Sequence, residues 1–412
     1  MHRGDPANRR GKAGRIPLVS VAVLVSACAI AGAPRAATPE LRSLDLGGYS
    51  GRPLAAPRDT GETYARLLES VRMADAVVSP RDIDPVLSRL SAIPVPTPTD
   101  AVGILAEATR PTLTAHGMLA GFSIGGTDDP SGSPTEGAAT GLRITVLRMR
   151  DPMAAIDTAR EIDAADAAVN RDNVTVPFTE YFATHGHWRP RVPTMAVTLA
   201  HGPYVVSLFI VDPATDRAAM KTLATRAFDA ELPRLDAFTA TAPEALPALT
   251  LDPDGMLSRL LPAEPGHWPY PRLFQDEYGL IAGWGGPRRA TGVVYGPVVA
   301  GLLIDRPGEN SLAVQAAAVT DSTRLLRFSD AVSARHAFQR LSEPTATRTV
   351  VSAPDGVPEA VCLRDADADA ESSTAYTCLV LDGRYLATVS GPSESAVHHM
   401  AAAQYSVLVS AR

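Results

Sequence analysis

Val146-Leu147-Arg148-Met149-Arg150-Asp151-Pro152-Met153-Ala154-Ala155 returns 179 residues later as Leu325-Leu326-Arg327-Phe328-Ser329-Asp330-Ala331-Val332-Ser333-Ala334. In both copies a strand-like run ends at an aspartate and an Ala-rich helical pattern follows. An aspartate at that junction suits a helix N-terminus, where its carboxylate accepts from backbone N–H groups that the first turn leaves free. Further on, His201-Gly202-Pro203-Tyr204 corresponds to Asp382-Gly383-Arg384-Tyr385 at an offset of 181. Each is a tight turn between β-rich runs: 195–199 and 204–211 in the first half, 376–381 and 385–390 in the second. Asp-Gly is a strong hairpin signal because glycine accepts the positive φ such turns need. A proline then marks each following helix start, Pro213 and Pro392, 179 apart, where its missing N–H costs nothing. Three anchors in one order at a nearly constant offset favour duplication over chance likeness between Ala-rich helices.

Each half therefore reads strand, helix, hairpin, helix. Amphipathic helices on one face of a small antiparallel sheet make an α+β sandwich. A further β-run precedes each unit, Gly117 to Ile124 and Val293 to Ile304. The expected organisation is a leader over 1–27, a flexible tether over 28–43, and a first domain over 44–241 with an N-terminal helical extension. A Pro-rich connector over 242–272 and a second domain over 273–412 follow. In the extension, Thr60 is placed to cap a helix through Tyr64, Leu67, Leu68, Val71 and Met73. Asp84-Pro85 breaks or restarts it, Pro94 to Pro98 is a loop, and Thr99-Asp100 is placed to cap the next short helix.

The leader has Arg3, Arg9, Arg10, Lys12 and Arg15, then an apolar run over 16–25, and ends in Val25-Ser26-Ala27-Cys28. The run is about half the ~20 residues a membrane-crossing helix needs. Basic flank, short apolar core and small residues read as an export signal, and a branched aliphatic, two small residues and a cysteine form a lipobox. The expectation is cleavage before Cys28, a diacylglyceryl group on its thiol, and attachment to the outer face of the cell membrane. Two acyl chains anchor stably where one is marginal. Arg9-Arg10 hints at twin-arginine export, but Gly11-Lys12-Ala13 follows where that signal wants apolar residues.

Net charge is −7, and the leader is itself positive, so the remainder is more acidic still. That excludes nucleic acid, and an anionic lipid surface, as the main partner. Hydrophobic residues make up 45% and aromatics 5%, so the core must be built mainly of Ala, Val, Leu and Ile. Lys12 and Lys221 are the only lysines. Of three cysteines, Cys362 and Cys378 remain once Cys28 is committed to lipid. An even pair in an exported chain is most simply a disulfide, and the additional thiols or histidines of a metal site do not accompany it.

Several stretches together resemble an uncharacterised family of envelope lipoproteins from mycobacteria, nocardiae and relatives. They are the lipobox, Leu44-Asp45-Leu46-Gly47-Gly48-Tyr49, His201-Gly202-Pro203-Tyr204, Leu251-Asp252-Pro253-Asp254-Gly255-Met256-Leu257, and Tyr376-Thr377-Cys378 to Ala403-Gln404-Tyr405. The resemblance implies a location and an architecture, with no catalytic residue to carry over.

Candidate chemistry is sparse. Gly121-Phe122-Ser123-Ile124-Gly125 fits a nucleophile elbow, which needs Ser123 on a sharp strand-to-helix turn; the loop-like 126–132 that follows favours a strand end instead. His185 and His187 would share a strand face but lack a third metal ligand, and His398 and His399 diverge on a helix. Asp365, Asp367, Asp369 and Glu371 resemble the start of a calcium loop, yet Ala370 and Tyr376 stand where an EF-hand needs glycine and glutamate. Gly283-Trp284-Gly285-Gly286-Pro287-Arg288 lacks the last glycine of a dinucleotide fingerprint. Trp188, Trp268 and Trp284 fall in loops that could line a groove, with packing the default. The expectation is a non-enzymatic lipoprotein without a cofactor, binding a hydrophobic ligand or an envelope protein, with a cleft between the halves as the natural site. A serine hydrolase using Ser123 and a purely structural module are the alternatives.

Overall fold

The first half begins with α1 (Gly61–Met73), where Leu67, Leu68 and Val71 form one buried stripe. Then come α2 (Pro80–Ile83), β1 (Arg89–Pro94), α3 (Pro98–Ala101), α4 (Arg110–Ala115), β2 (Ala120–Thr127) and β3 (Gly141–Arg148). Asp151 caps α5 (Pro152–Ala167), accepting from the Ala154 N–H at 2.7 Å. A meander of β4 (Val174–Thr175), β5 (His185–Trp188), β6 (Thr194–His201) and β7 (Tyr204–Val211) leads to α6 (Arg217–Ala237). After a small ribbon of β8 (Arg272–Gln275) and β9 (Arg288–Thr291), the second half runs β10 (Val293–Tyr295), α7 (Pro297–Leu302), β11 (Val314–Val319) and β12 (Thr323–Phe328). Asp330 caps α8 (Ala331–Ser342) through the Ser333 N–H at 2.8 Å. The half closes with β13 (Arg348–Val351), β14 (Ala360–Asp365), β15 (Tyr376–Asp382), β16 (Tyr385–Gly391) and α9 (Glu394–Ser410).

This is a computed structural model, and it describes residues 41–412 apart from 59–60, 136, 276–287, 305–312, 369–371 and 373. The leader, Cys28 and nearly all of the tether lie outside the described residues, as do Thr60, Trp284, Asp369 and Glu371.

Each half holds an antiparallel sheet of seven strands, ordered β1-β2-β3-β7-β6-β5-β4 and β10-β11-β12-β16-β15-β14-β13. The two orders are the same, so the duplication read from the repeat extends to the whole topology. Even the register agrees: Arg148 lies opposite Tyr204 on β7, and Arg327 opposite Tyr385 on β16. At the hairpin turns Gly202 and Gly383 take φ of 53° and 57°, the left-handed region that glycine enters at little cost.

Helices cover both faces of each sheet, not one. In the first half α5 packs with Leu147, Met149 and Val205, while α6 packs with Ile144, Val146 and Val206. In the second, α8 lies on Leu326 and Leu386, and α9 on Leu325 and Ala387. Neighbouring strand residues face opposite ways, and β2 and β3 are buried at every position. A strand with no solvated face demands a layer on each side.

Other expectations shift locally. The run Val293 to Ile304 is not one strand: Gly296-Pro297 ends β10 and opens α7. The partner of β2 in the second half is instead β11, whose alanines carry a weak strand signal. Thr97, not Thr99-Asp100, caps α3, through the Asp100 N–H at 3.2 Å. Pro213 and Pro392 precede their helices instead of starting them, because the side chains of Asp216 and Ser393 provide the caps.

The connector is not a spacer. Its Met256, Leu257, Leu260 and Leu261 are buried against Met400, Ala401 and Tyr405 of α9. Nor do residues from 44 onward all serve the first half. Leu44 joins the second-half core, and Ser406 Oγ donates to the Gly51 carbonyl at 3.1 Å. The cause is α9, which is buried continuously over residues 400–408 and needs cover on its outer side as well. The halves also share an interior. Ala290, Val293, Tyr295 and Val299 complete the first-half core, with Tyr295 edge-on to Phe122 at 6.5 Å between ring centroids. The described residues accordingly make one compact unit.

Cys362 and Cys378 sit directly opposite on β14 and β15, Cα atoms 4.0 Å apart, and are joined as a disulfide. Closing a loop of this length stabilises by about 3 kcal/mol on chain-entropy grounds.

Candidate functional site

A cleft of about 660 Å³ opens where the halves meet, within the size range of small-molecule sites. Leu68 and Val71 of α1 form one wall, with Phe238 just after α6 and Leu249 of the connector beside them. Val294 of β10 and Ala316 of β11 form the opposite wall. Five charged residues join this apolar lining: Arg72, Asp75, Arg234, Asp254 and Arg327.

Behind the α1 wall lies a closed ionic network. Glu69, 0% exposed, meets Arg148 at 2.5 Å and Arg72 at 2.7 Å. Its carboxylate also accepts from the N–H and hydroxyl of Thr241 at 3.1 and 2.8 Å. Arg148 donates in addition to the Thr241 carbonyl, and Arg72 lies over the Phe238 ring at 5.7 Å. This ties β3 and α1 to the chain just before the connector.

Asp75 reaches the opposite way, accepting from the Val298 N–H at 3.1 Å in the first turn of α7. Burial pushes its carboxyl above the usual range, against the pull of that N–H and of Arg234 and Arg72. Gly296 is required here: a Cβ would lie 1.8 Å from the Asp75 carboxylate. Arg327 pairs with Asp254 at 2.8 Å, and Arg234 makes a loose contact with Asp82 at 3.7 Å. On α6, Glu231 is fully buried and accepts from the Val78 N–H at 2.7 Å. Desolvation pushes its carboxyl up to about 8.

The residues singled out from sequence fall elsewhere. Ser123 is in mid-strand on β2, 0% exposed, its hydroxyl 2.9 Å from Thr145 Oγ1 and accepting from Arg143 at 3.2 Å. It sits on no turn, and the strand continues to Thr127, so the elbow geometry is missing. His187 lies between two α5 carboxylates, Asp163 at 2.8 Å and Asp166 at 3.7 Å. Among the described residues no three His, Cys, Asp or Glu side chains gather as a metal would require. His398 contacts the Ser352 carbonyl at 2.8 Å and His399 contacts Asp45 at 3.2 Å, so the two diverge. Trp188 donates to the Val192 carbonyl at 3.0 Å, and Trp268 packs on the second-half core; neither lines the cleft. Asp365 ends β14, while the rest of the acidic loop and residues 283–287 lie partly or wholly outside the described residues. Sequence reasoning missed Glu69, Asp75 and the Arg148/Arg327 pair. The arginines carried a signal, each following an apolar pair at the same place in the repeated motif.

Comparison with known families gives two matches. A family model described as "Domain of unknown function (DUF7373) N-terminal" covers residues 56–251. Its companion, "Domain of unknown function (DUF7373) C-terminal", covers 256–411. The two matches coincide with the two sheets and divide within the connector. No curated protein and no solved structure matches the chain.

Proposed function

The chain belongs to the DUF7373 family, both of whose domains it carries, and from that premise we propose that it is a lipid-anchored, extracytoplasmic binding protein whose ligand occupies the cleft between its halves. The observation that carries this reading is the cleft: about 660 Å³, walled by Leu68, Val71, Phe238, Leu249, Val294 and Ala316. Apolar walls with a few convergent polar groups are what small-molecule sites offer. A non-enzymatic role is favoured over hydrolysis because Ser123 is sealed inside β2. A purely structural module would have no use for an open apolar cleft at its centre.

The location rests on Val25-Ser26-Ala27-Cys28, with the Cys362–Cys378 disulfide as support, since such bonds persist in oxidising surroundings. Among the described residues no helix is long and apolar enough to cross a membrane; the attachment proposed is through Cys28. Cys28→Ser should move the protein from the membrane to the soluble fraction on cell fractionation. Retention of that variant in the membrane would defeat the anchor.

The cleft is tested separately. Ala237, exposed at the C-terminal end of α6, lines its mouth. Ala237→Trp should fill the entrance without disturbing a core and lower the affinity for a fluorescent fatty acid at least about tenfold, the loss expected when roughly 1.4 kcal/mol of contact is removed. Unchanged affinity would place the ligand elsewhere.

A further inference from the structure

The two halves treat one equivalent arginine differently. Arg148 and Arg327 hold the same place in the repeated motif, each at the sheet centre opposite a tyrosine. Arg148 is closed off by the buried Glu69 carboxylate, which it shares with Arg72. Arg327 instead lines the cleft, and its carboxylate partner, Asp254, is 65% exposed on the side chain. Water screens such a pair, so it holds its charge weakly. The Arg327 Nε–H is buried and has no acceptor among the described residues. Across the cleft, Arg234 meets Asp82 at 3.7 Å and also acts on the buried Asp75 and Glu231 carboxyls. Of the two lining acids, Asp75 is engaged by the Val298 N–H, and desolvation favours its neutral form. The cleft is thus apolar along its walls, with an Arg327 guanidinium whose carboxylate partner is screened by water and whose Nε–H has no acceptor among the described residues.

We propose that the cleft takes a single-chain amphiphile through an anionic head group, set against the Arg327 guanidinium much as the Glu69 carboxylate is set against Arg148, with the chain along Leu68, Val71, Phe238 and Leu249. This rests on the reading of the cleft as a ligand site. A guanidinium presents several N–H groups in a fixed fork, so one edge can keep Asp254 while another receives a carboxylate or phosphate. The overall charge of −7 keeps anionic surfaces away; a single anionic molecule inside the cleft instead meets the Arg327 guanidinium.

The test is calorimetric titration of the purified protein with dodecanoate, dodecyl phosphate, dodecanol and dodecylammonium, each below its micellar concentration. At least one of the two anions should bind about tenfold or more tightly than dodecanol, the gain expected of a hydrogen bond to a charged group. Whichever anion is preferred identifies the head as carboxylate or phosphate. Arg327→Gln should bring the anions down to the level of the alcohol, and Arg327→Lys should restore part of the difference. Dodecanol or dodecylammonium binding as tightly as both anions would overturn the anionic head while leaving the cleft as a ligand site. Failure of all four to bind, or binding indifferent to Ala237→Trp, would bring down the cleft reading itself. Should Arg327→Gln fail to fold, the ranking on the unmodified protein still decides the matter.

Discussion

Glu69→Ala should lower stability by roughly 3–5 kcal/mol, the cost of removing one partner from a buried ion pair and leaving the other charge uncompensated. Arg148, buried in its strand, would lose the carboxylate 2.5 Å away, and the Thr241 N–H and hydroxyl would lose an acceptor together. Against a typical domain stability of about 5–15 kcal/mol this is a large fraction. It should appear as a fall in the urea midpoint with the slope retained. Glu69→Leu combined with Arg148→Met should recover most of the loss, because well-packed apolar groups replace buried ions at little net cost. A single-variant loss below about 1 kcal/mol, typical of a screened surface pair, would show that the network does not hold α1 to β3.

The second large effect is a decline in stability between about pH 5 and pH 9, attributable to Glu231. Its folded carboxyl titrates at about 8, well above the usual carboxylate range, because burial penalises the charge. A raised folded pKa means the folded state holds the proton more tightly. The associated stability is complete below the unfolded value and is lost as pH climbs through about 8. The loss should be on the order of a few kcal/mol by alkaline pH. Asp75 acts in the same direction. The helix-capping Asp151 and Asp330 have lowered values and act oppositely, at more acid pH, so they leave this window clear. Glu231→Gln keeps the acceptor for the Val78 N–H without the titration and should flatten the profile in urea melts at pH 5, 7 and 9. Superimposable profiles for the variant and the unmodified protein would refute the assignment.

Much of the fold could be read from residues that act locally. Asp151 and Asp330 cap their helices through their own side chains, and Gly202 and Gly383 turn their hairpins by φ alone. These are short-range effects, and duplication printed them twice. That both faces of the sheet are covered was also legible, since Tyr204–Val211 is apolar at nearly every position and does not alternate as a half-solvated strand would. Other elements depend on distant partners. β11 is a strand because β10 and β12 flank it, not because Ala316-Ala317-Ala318 favours one. The site is the extreme case. Glu69 looks like any helix-surface glutamate until Arg148, 79 residues on, and Thr241, 172 residues on, are brought to it. The cleft has no motif, because α1, α6, the connector and the second sheet each supply a few ordinary residues.

The interior shared across the two halves bears on how the molecule could have arisen. Tyr295 and Val299 belong to the second copy by ancestry but fill the first copy's core. A forebear with one sheet would have had an unfinished face, and a second molecule of itself is the simplest thing to have closed it. On that account fusion joined partners already in contact, and the gap between them became free to diverge into a pocket once a single chain held both walls.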